Sequence, residues 1–116
     1  MTASISREEL RAKVDRGDDF VLVEALSQAH FESSRLPGAI NLPYEFIDDA
    51  EEVLPDKSRE IVVYCMNPRC SASSEEAREL EEMGYARVLH YAGGKQDWIR
   101  AGLPVERGRT QRGSRR

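Results

Sequence analysis

Long apolar runs are missing from this 116-residue chain. None approaches the ~18 consecutive apolar residues of a membrane-spanning helix. The first residues, Met1 to Leu10, also lack the apolar core of a signal peptide. The expectation is a cytoplasmic protein with no membrane partner. Cysteine is scarce: there are two, Cys65 and Cys70. In a compartment that keeps thiols reduced, such a pair points to chemistry or core packing rather than to a structural bridge. Two thiols without further ligands do not make a zinc site. No metal is expected, and no residue pattern calls for a cofactor. Internal repeats are absent.

The chain is 40% hydrophobic and 33% charged, the balance of one globular domain with a single core. Its net charge of −4 conceals an asymmetry. The last ten residues, Arg107 to Arg116, hold five Arg, two Gly, no acid and no apolar residue. The other 106 residues carry 12 basic against 21 acidic groups. An acidic body argues against nucleic acid as a partner. The division expected is a folded domain over 1–106 and a disordered basic tail over 107–116. Oligomeric state leaves no visible mark.

Helix and strand signals alternate along the chain. Ser6 and Glu9 have capping-box spacing, with Ile5 and Leu10 placed for a hydrophobic staple and Gly17 for a stop. Phe20 to Ala25 is a strand, apolar until Glu24. A carboxylate ending a buried strand needs partners, so Glu24 is either a loop organiser or part of a site. Gln28 to Glu32 is a short helix. Leu36 to Pro43 is a turn and a brief strand bounded by prolines. Tyr44 to Val53 is a short helix presenting Phe46, Ile47, Ala50 and Val53. A second strand covers Ile61 to Tyr64. A helix follows with Ala77, Leu80 and Met83 on one side, Glu75, Glu79 and Glu82 outside that stripe, and Gly84 at its end. Arg87 to Tyr91 is a third strand. Gly93-Gly94 is a flexible turn before a helix over Lys95 to Ala101 that carries Trp98. This alternation predicts an α/β fold: helices on both sides of a central, mostly parallel sheet.

Everything converges on Ile61-Val62-Val63-Tyr64-Cys65-Met66-Asn67-Pro68-Arg69-Cys70-Ser71. Four continuously apolar residues read as a strand covered on both faces, and Cys65 is where that run stops. Ser73 and Glu76 have capping-box spacing for the following helix. Cys65 is therefore expected at the carboxyl end of a central strand, facing a helix amino terminus, where open α/β sheets hold ligands. Loop amides and the helix dipole there favour a thiolate, which is the nucleophilic form. The alternative is a buried core cysteine. The N–H groups of Met66, Asn67, Arg69, Cys70 and Ser71 form a candidate anion cradle; Pro68 has none to give. Arg69 is a solvated charge or an electrostatic support for an anionic donor. Cys70 packs, resolves an oxidised Cys65 or, least fittingly, binds metal. His30, His90 and Trp98 read as structural or solvated.

The order of motifs resembles the single-domain rhodanese-like family. The pieces are Leu36-Pro37-Gly38-Ala39-Ile40-Asn41-Leu42-Pro43, then Ile61-Val62-Val63-Tyr64-Cys65, then Gly84-Tyr85. Gly93-Gly94 with Trp98 and the closing Ala101-Gly102-Leu103-Pro104 follow. The resemblance implies a three-layer α/β/α fold and sulfur transfer through a persulfide on Cys65. It implies as partners a small donor, thiosulfate or a thiol persulfide, and a thiol or cyanide acceptor. The family loop usually has Gly where Pro68 stands and Arg where Cys70 stands, whereas Ser71 is kept. The family's usual Asp falls on Glu24 and its usual Arg on Leu26, and Arg35 stands where His is common. Glu24 and Arg35 are accessory candidates on that ground. Pro68 and Cys70 withdraw a donor and a charge, which weighs on dianionic thiosulfate more than on a persulfide.

Three other functions compete. A phosphatase on this fold would need an Arg six positions beyond the cysteine, but position 71 is Ser. A non-catalytic binding module would tolerate the departures in the loop. A thiol redox protein would use Cys65 and Cys70 as a pair.

Overall fold

The computed structural model describes residues 2–108. Five parallel strands form one sheet in the order β1-β5-β4-β2-β3. These are β1 (Ala3–Ser4), β2 (Phe20–Glu24), β3 (Ile40–Asn41), β4 (Glu60–Tyr64) and β5 (Arg87–Tyr91). The helices are α1 (Arg7–Arg16), α2 (Gln28–Ser33), α3 (Ala50–Val53), α4 (Ala72–Glu82) and α5 (Gly94–Arg100).

The strand period of two divides the core into layers. From β4, Ile61 and Val63 enter one apolar cluster with Val23, Val88, Ala50 and Leu54, together with Ala77 and Leu80 of α4. Val62 and Tyr64 enter the other with Leu22, Tyr91, Leu10 of α1, Phe31 of α2 and Trp98 of α5. The sheet thus lies between α3 and α4 on one face and α1, α2 and α5 on the other. This is the expected three-layer architecture. β4 is central and buried on both faces, which is why its sequence is continuously apolar.

Local signals explain several boundaries. Ser6 and Glu9 form the capping box in full, and Gly17 closes α1 at φ 68°. Trp98 is a core residue, its indole N–H donating to the Pro104 carbonyl at 2.8 Å.

Other expectations need correction. Tyr44–Val53 is a 3-10 turn over Tyr44–Asp49, kinked at Phe46, and only Ala50–Val53 is α-helical. Phe46 and Val53 are exposed while Ala50 is buried, so the helical spacing there did not mark one apolar face. The capping box over Ser73 and Glu76 does not form. α4 starts earlier, behind Ser71, without a side-chain cap, and both residues point into the protein. β1 is too short to carry a sequence pattern, and its pairing with β5 makes it a strand. At the other end, Gly108 N–H donates to the Glu32 carbonyl at 2.7 Å, and the Gly108 carbonyl accepts from Arg35 at 2.7 Å. Gly108 therefore adjoins the folded body. The rest of the expected tail, 109–116, lies outside the described residues.

Candidate functional site

Cys65 follows the last residue of β4, on the α4 side of the sheet, and is buried. Two layers hold it there. The Ala25 N–H donates to the Tyr64 carbonyl at 2.9 Å. From below, the start of α5 grips the loop: Lys95 N–H donates to the Cys65 carbonyl at 2.8 Å and Gln96 N–H to the Met66 carbonyl at 2.9 Å. The approach requires Gly94. Its φ is +75°, and a Cβ there would sit 2.8 Å from the Cys65 and Met66 backbone. The expected flexible turn at Gly93-Gly94 is thus a close packing contact.

The loop braces itself as well. Arg69 N–H donates to Asn67 Oδ1 at 2.9 Å, and Cys70 N–H donates to the Asn67 carbonyl at 3.1 Å. The anion cradle expected from five amides is therefore narrower, because those two are engaged inside the loop. The amides of Met66, Asn67 and Ser71 have no partner among the described residues. Pro68 and Arg69 are exposed, and Asn67, Pro68, Arg69, Gln96 and Arg100 line a shallow cavity of about 320 Å³. Two arginines give this rim positive charge on an otherwise acidic body.

Cys65 and Cys70 are joined by a disulfide. The loop curls so that Cα atoms five positions apart lie 6.5 Å from one another. The bond is the pairing that a resolving or redox role for Cys70 requires, and it brings the two side chains together across the loop. No cluster of metal-ligating side chains occurs among the described residues.

The residue that local reasoning missed is Ser73. It is buried, with Oγ 3.1 Å from Cys65 Sγ and 2.8 Å from His90 Nε2. β5 pairs with β4 so that His90 stands beside Val63, two residues before Cys65 and on the same face. Burial holds the His90 imidazole below its ordinary pKa. Glu76, one turn beyond Ser73, is fully buried, and neither carboxyl oxygen has a hydrogen-bond partner among the described residues. Burial and nearby Glu79 raise its pKa to about 9, so it is neutral at pH 7.

Glu24 and Arg35 lie elsewhere. Glu24 faces the α5 side, where Lys95 Nζ donates to it at 2.9 Å and Tyr64 Oη at 2.6 Å. Burial and that carboxylate push the Tyr64 phenol far above its ordinary value, keeping it a donor. The Glu24 carbonyl also accepts from Leu42 N–H and from Asn41 Nδ2. Glu24 is thus placed as an organiser of strand ends. The Arg35 guanidinium stacks on the Phe31 ring and donates to the Phe31 and Gly108 carbonyls, on the face away from Cys65.

Comparison with known proteins identifies the family and the fold. The model of the rhodanese-like domain matches residues 6–101. A sulfurtransferase of Allochromatium vinosum is 34% identical over 106 residues, spanning 90% of this chain and 95% of that protein. An HTH-type transcriptional regulator of Mycobacterium tuberculosis, Rv0324, is 32% identical over 106 residues, and the match spans 45% of its length. Among solved structures, a thiosulfate sulfurtransferase from Pseudomonas aeruginosa superimposes with a TM-score of 0.81 at 26% identity. That match covers 94% of this chain and 21% of the other.

Proposed function

The chain belongs to the rhodanese-like domain family, and on that premise we propose that it is a cytoplasmic sulfurtransferase working through a persulfide on Cys65. The observation that carries the reading is the placement of Cys65: at the carboxyl end of the central strand, before α4, its sulfur within reach of a buried hydroxyl. A helix amino terminus and a hydrogen-bond donor both favour a thiolate.

Turnover begins from the reduced pair. Two external thiols reduce the disulfide, giving the Cys65 and Cys70 thiols and one external disulfide. The Cys65 thiolate then attacks the outer sulfur of a donor. With thiosulfate, the S–S bond breaks, sulfite leaves with the electron pair, and Cys65 carries the extra sulfur. With a thiol persulfide, a thiolate leaves instead. An acceptor thiolate or cyanide next attacks that outer sulfur, and the Cys65 thiolate departs. Splitting the transfer in two is the advantage of a covalent carrier. Arg69 and Arg100 on the rim would draw an anionic donor or acceptor toward the loop. Pro68 and Cys70 disfavour thiosulfate relative to a persulfide.

The disulfide favours a second role for the same pair. Cys70 thiolate can attack the inner sulfur of a Cys65 persulfide, forming the Cys65–Cys70 bond and releasing hydrosulfide. The protein would then alternate between carrying sulfur and discharging it as sulfide.

Intact mass spectrometry of reduced protein after thiosulfate or a thiol persulfide tests the main reading. Wild type is expected to gain one sulfur atom and to release thiocyanate on adding cyanide; Cys65→Ser is expected to do neither. A wild type that takes up no sulfur from either donor would leave a binding module. In Cys70→Ser, the persulfide should persist longer and less sulfide should be released.

A further inference from the structure

We propose that Ser73 and His90 form a proton relay that activates Cys65: the thiol proton passes to the Ser73 hydroxyl while the hydroxyl proton passes to His90 Nε2. The inference rests on Cys65 being the nucleophile, and it assigns chemistry to two residues outside the active-site loop.

The geometry has three parts. With the Cys65–Cys70 bond closed, Ser73 Oγ stands between the two groups, 3.1 Å from Cys65 Sγ and 2.8 Å from His90 Nε2, and the relay operates once reduction gives that sulfur a proton. Ser73 is buried in the first turn of α4, where a serine would ordinarily cap the helix or face water. Its inward turn is therefore explained by its two partners and not by the helix. His90 comes from a different element, and its place is set by the β4–β5 register. Strand, helix and neighbouring strand each supply one member, so the chain of contacts is rigid.

The surroundings hold His90 in its neutral form, the form that can take a proton. On the elements packed around His90, β1 offers Ser4 and β4 offers Val63, neither titratable. Among the acids of α4, Glu79 bonds Tyr44 and Glu81 accepts from Thr2 at 2.7 Å. Glu76, the acid on the buried face of α4, is held neutral. Burial keeps His90 itself neutral, and in the tautomer with the proton on Nδ1 its Nε2 accepts from the Ser73 hydroxyl. After transfer, the hydroxyl donates to the Cys65 thiolate and the imidazolium donates to the hydroxyl. Charge balances, and no further reagent is needed. Ser73 touches the reacting sulfur; His90 acts through it and is a positioning residue that also accepts the proton.

The test is the rate of Cys65 alkylation by iodoacetamide in reduced protein as a function of pH, followed on the Cys65 peptide by mass spectrometry. Wild type should show an inflection below the ~8.5 of a free thiol. Ser73→Ala and His90→Gln should move the inflection up and slow alkylation at pH 7. Each unit of upward movement lowers the thiolate fraction about tenfold. Gln at 90 can still hydrogen-bond Ser73 but cannot take a proton, so it separates base from spacer. Ser73→Thr, which keeps the hydroxyl, should retain most of the rate. The double variant Ser73→Ala/His90→Gln should be no slower than the worse single, because the pair acts as one unit. Wild-type profiles in Ser73→Ala or His90→Gln, or a Thr variant as slow as Ala, would overturn the relay. Should a variant fail to fold, the wild type still decides: His90, followed by nitrogen NMR, must titrate together with Cys65 alkylation, and independent inflections would overturn it. Alkylation needs no sulfur donor, so failure of sulfur loading in wild type would reject the transferase reading while leaving this measurement intact.

Discussion

The two faces of β4 bury polar groups under opposite rules. On the α5 side, Glu24, Lys95 and Tyr64 satisfy one another: a carboxylate takes two donors, the ammonium also reaches the His30 carbonyl at 3.0 Å, and the phenol also accepts from Leu36 N–H. On the α4 side, a sulfur, a hydroxyl and an imidazole form an open chain, and a carboxyl one helical turn away has no partner among the described residues. Complete pairing makes a rigid element that holds strand ends in register. On the other face the polar groups stop at an open chain of contacts beneath the Cys65 loop.

Breaking the scaffold should cost most. Lys95→Met leaves the Glu24 carboxylate buried without its cation and is expected to destabilise by about 3–5 kcal/mol. Adding Glu24→Gln should recover part of that loss in urea unfolding. Simple additivity of the two changes would show that the pair is not coupled.

Gly94 links the two faces through the loop carbonyls. Gly94→Ala forces a side chain into a left-handed backbone 2.8 Å from Cys65 and Met66 atoms. A loss of about 1–3 kcal/mol is expected, with slower Cys65 alkylation because the loop is displaced. Gly17→Ala, also at positive φ but with open space around it, should leave alkylation unchanged.

Glu76 gives the comparison a pH axis. Its folded pKa of about 9 lies above the ordinary carboxylate value, so the folded chain holds a proton that the unfolded chain has released. Stability should therefore be greatest near pH 4–5 and fall as pH rises toward 9, by at most about 1.4 kcal/mol per unit. Glu76→Gln should flatten that slope, with a gain on the order of 1–2 kcal/mol at pH 8 after the cost of a buried amide. Thermal melts across pH read this directly; equal slopes for both proteins would mean Glu76 is paired after all. The smallest effect is expected at Phe46. It is 53% exposed, and Phe46→Ser should change stability by no more than about 0.5 kcal/mol.

Much of the frame was legible in the sequence. Continuous apolar residues at 61–64, the capping box at Ser6 and the stop at Gly17 are local signals, and each produced its element. The position of Cys65 also followed from local pattern, because a strand's apolar run ends where its cover ends. Ser73 and Glu76 misled, since their spacing satisfies a capping rule that tertiary contacts overrode.

By itself, the sequence determined the helix-covered parallel sheet, the buried central strand and the nucleophile candidate, which depend on periodicity and on interactions between residues a few positions apart. The family followed from the resemblance in its order of motifs. The tertiary structure alone decided that Lys95 pairs with Glu24, that Gly94 must be glycine, and that His90 reaches Cys65 through Ser73. Those contacts join residues 71, 29, 17 and 8 positions apart, and only strand register and helix docking bring them together. A hydrogen bond reports distance in space, which the spacing of residues along a chain does not encode.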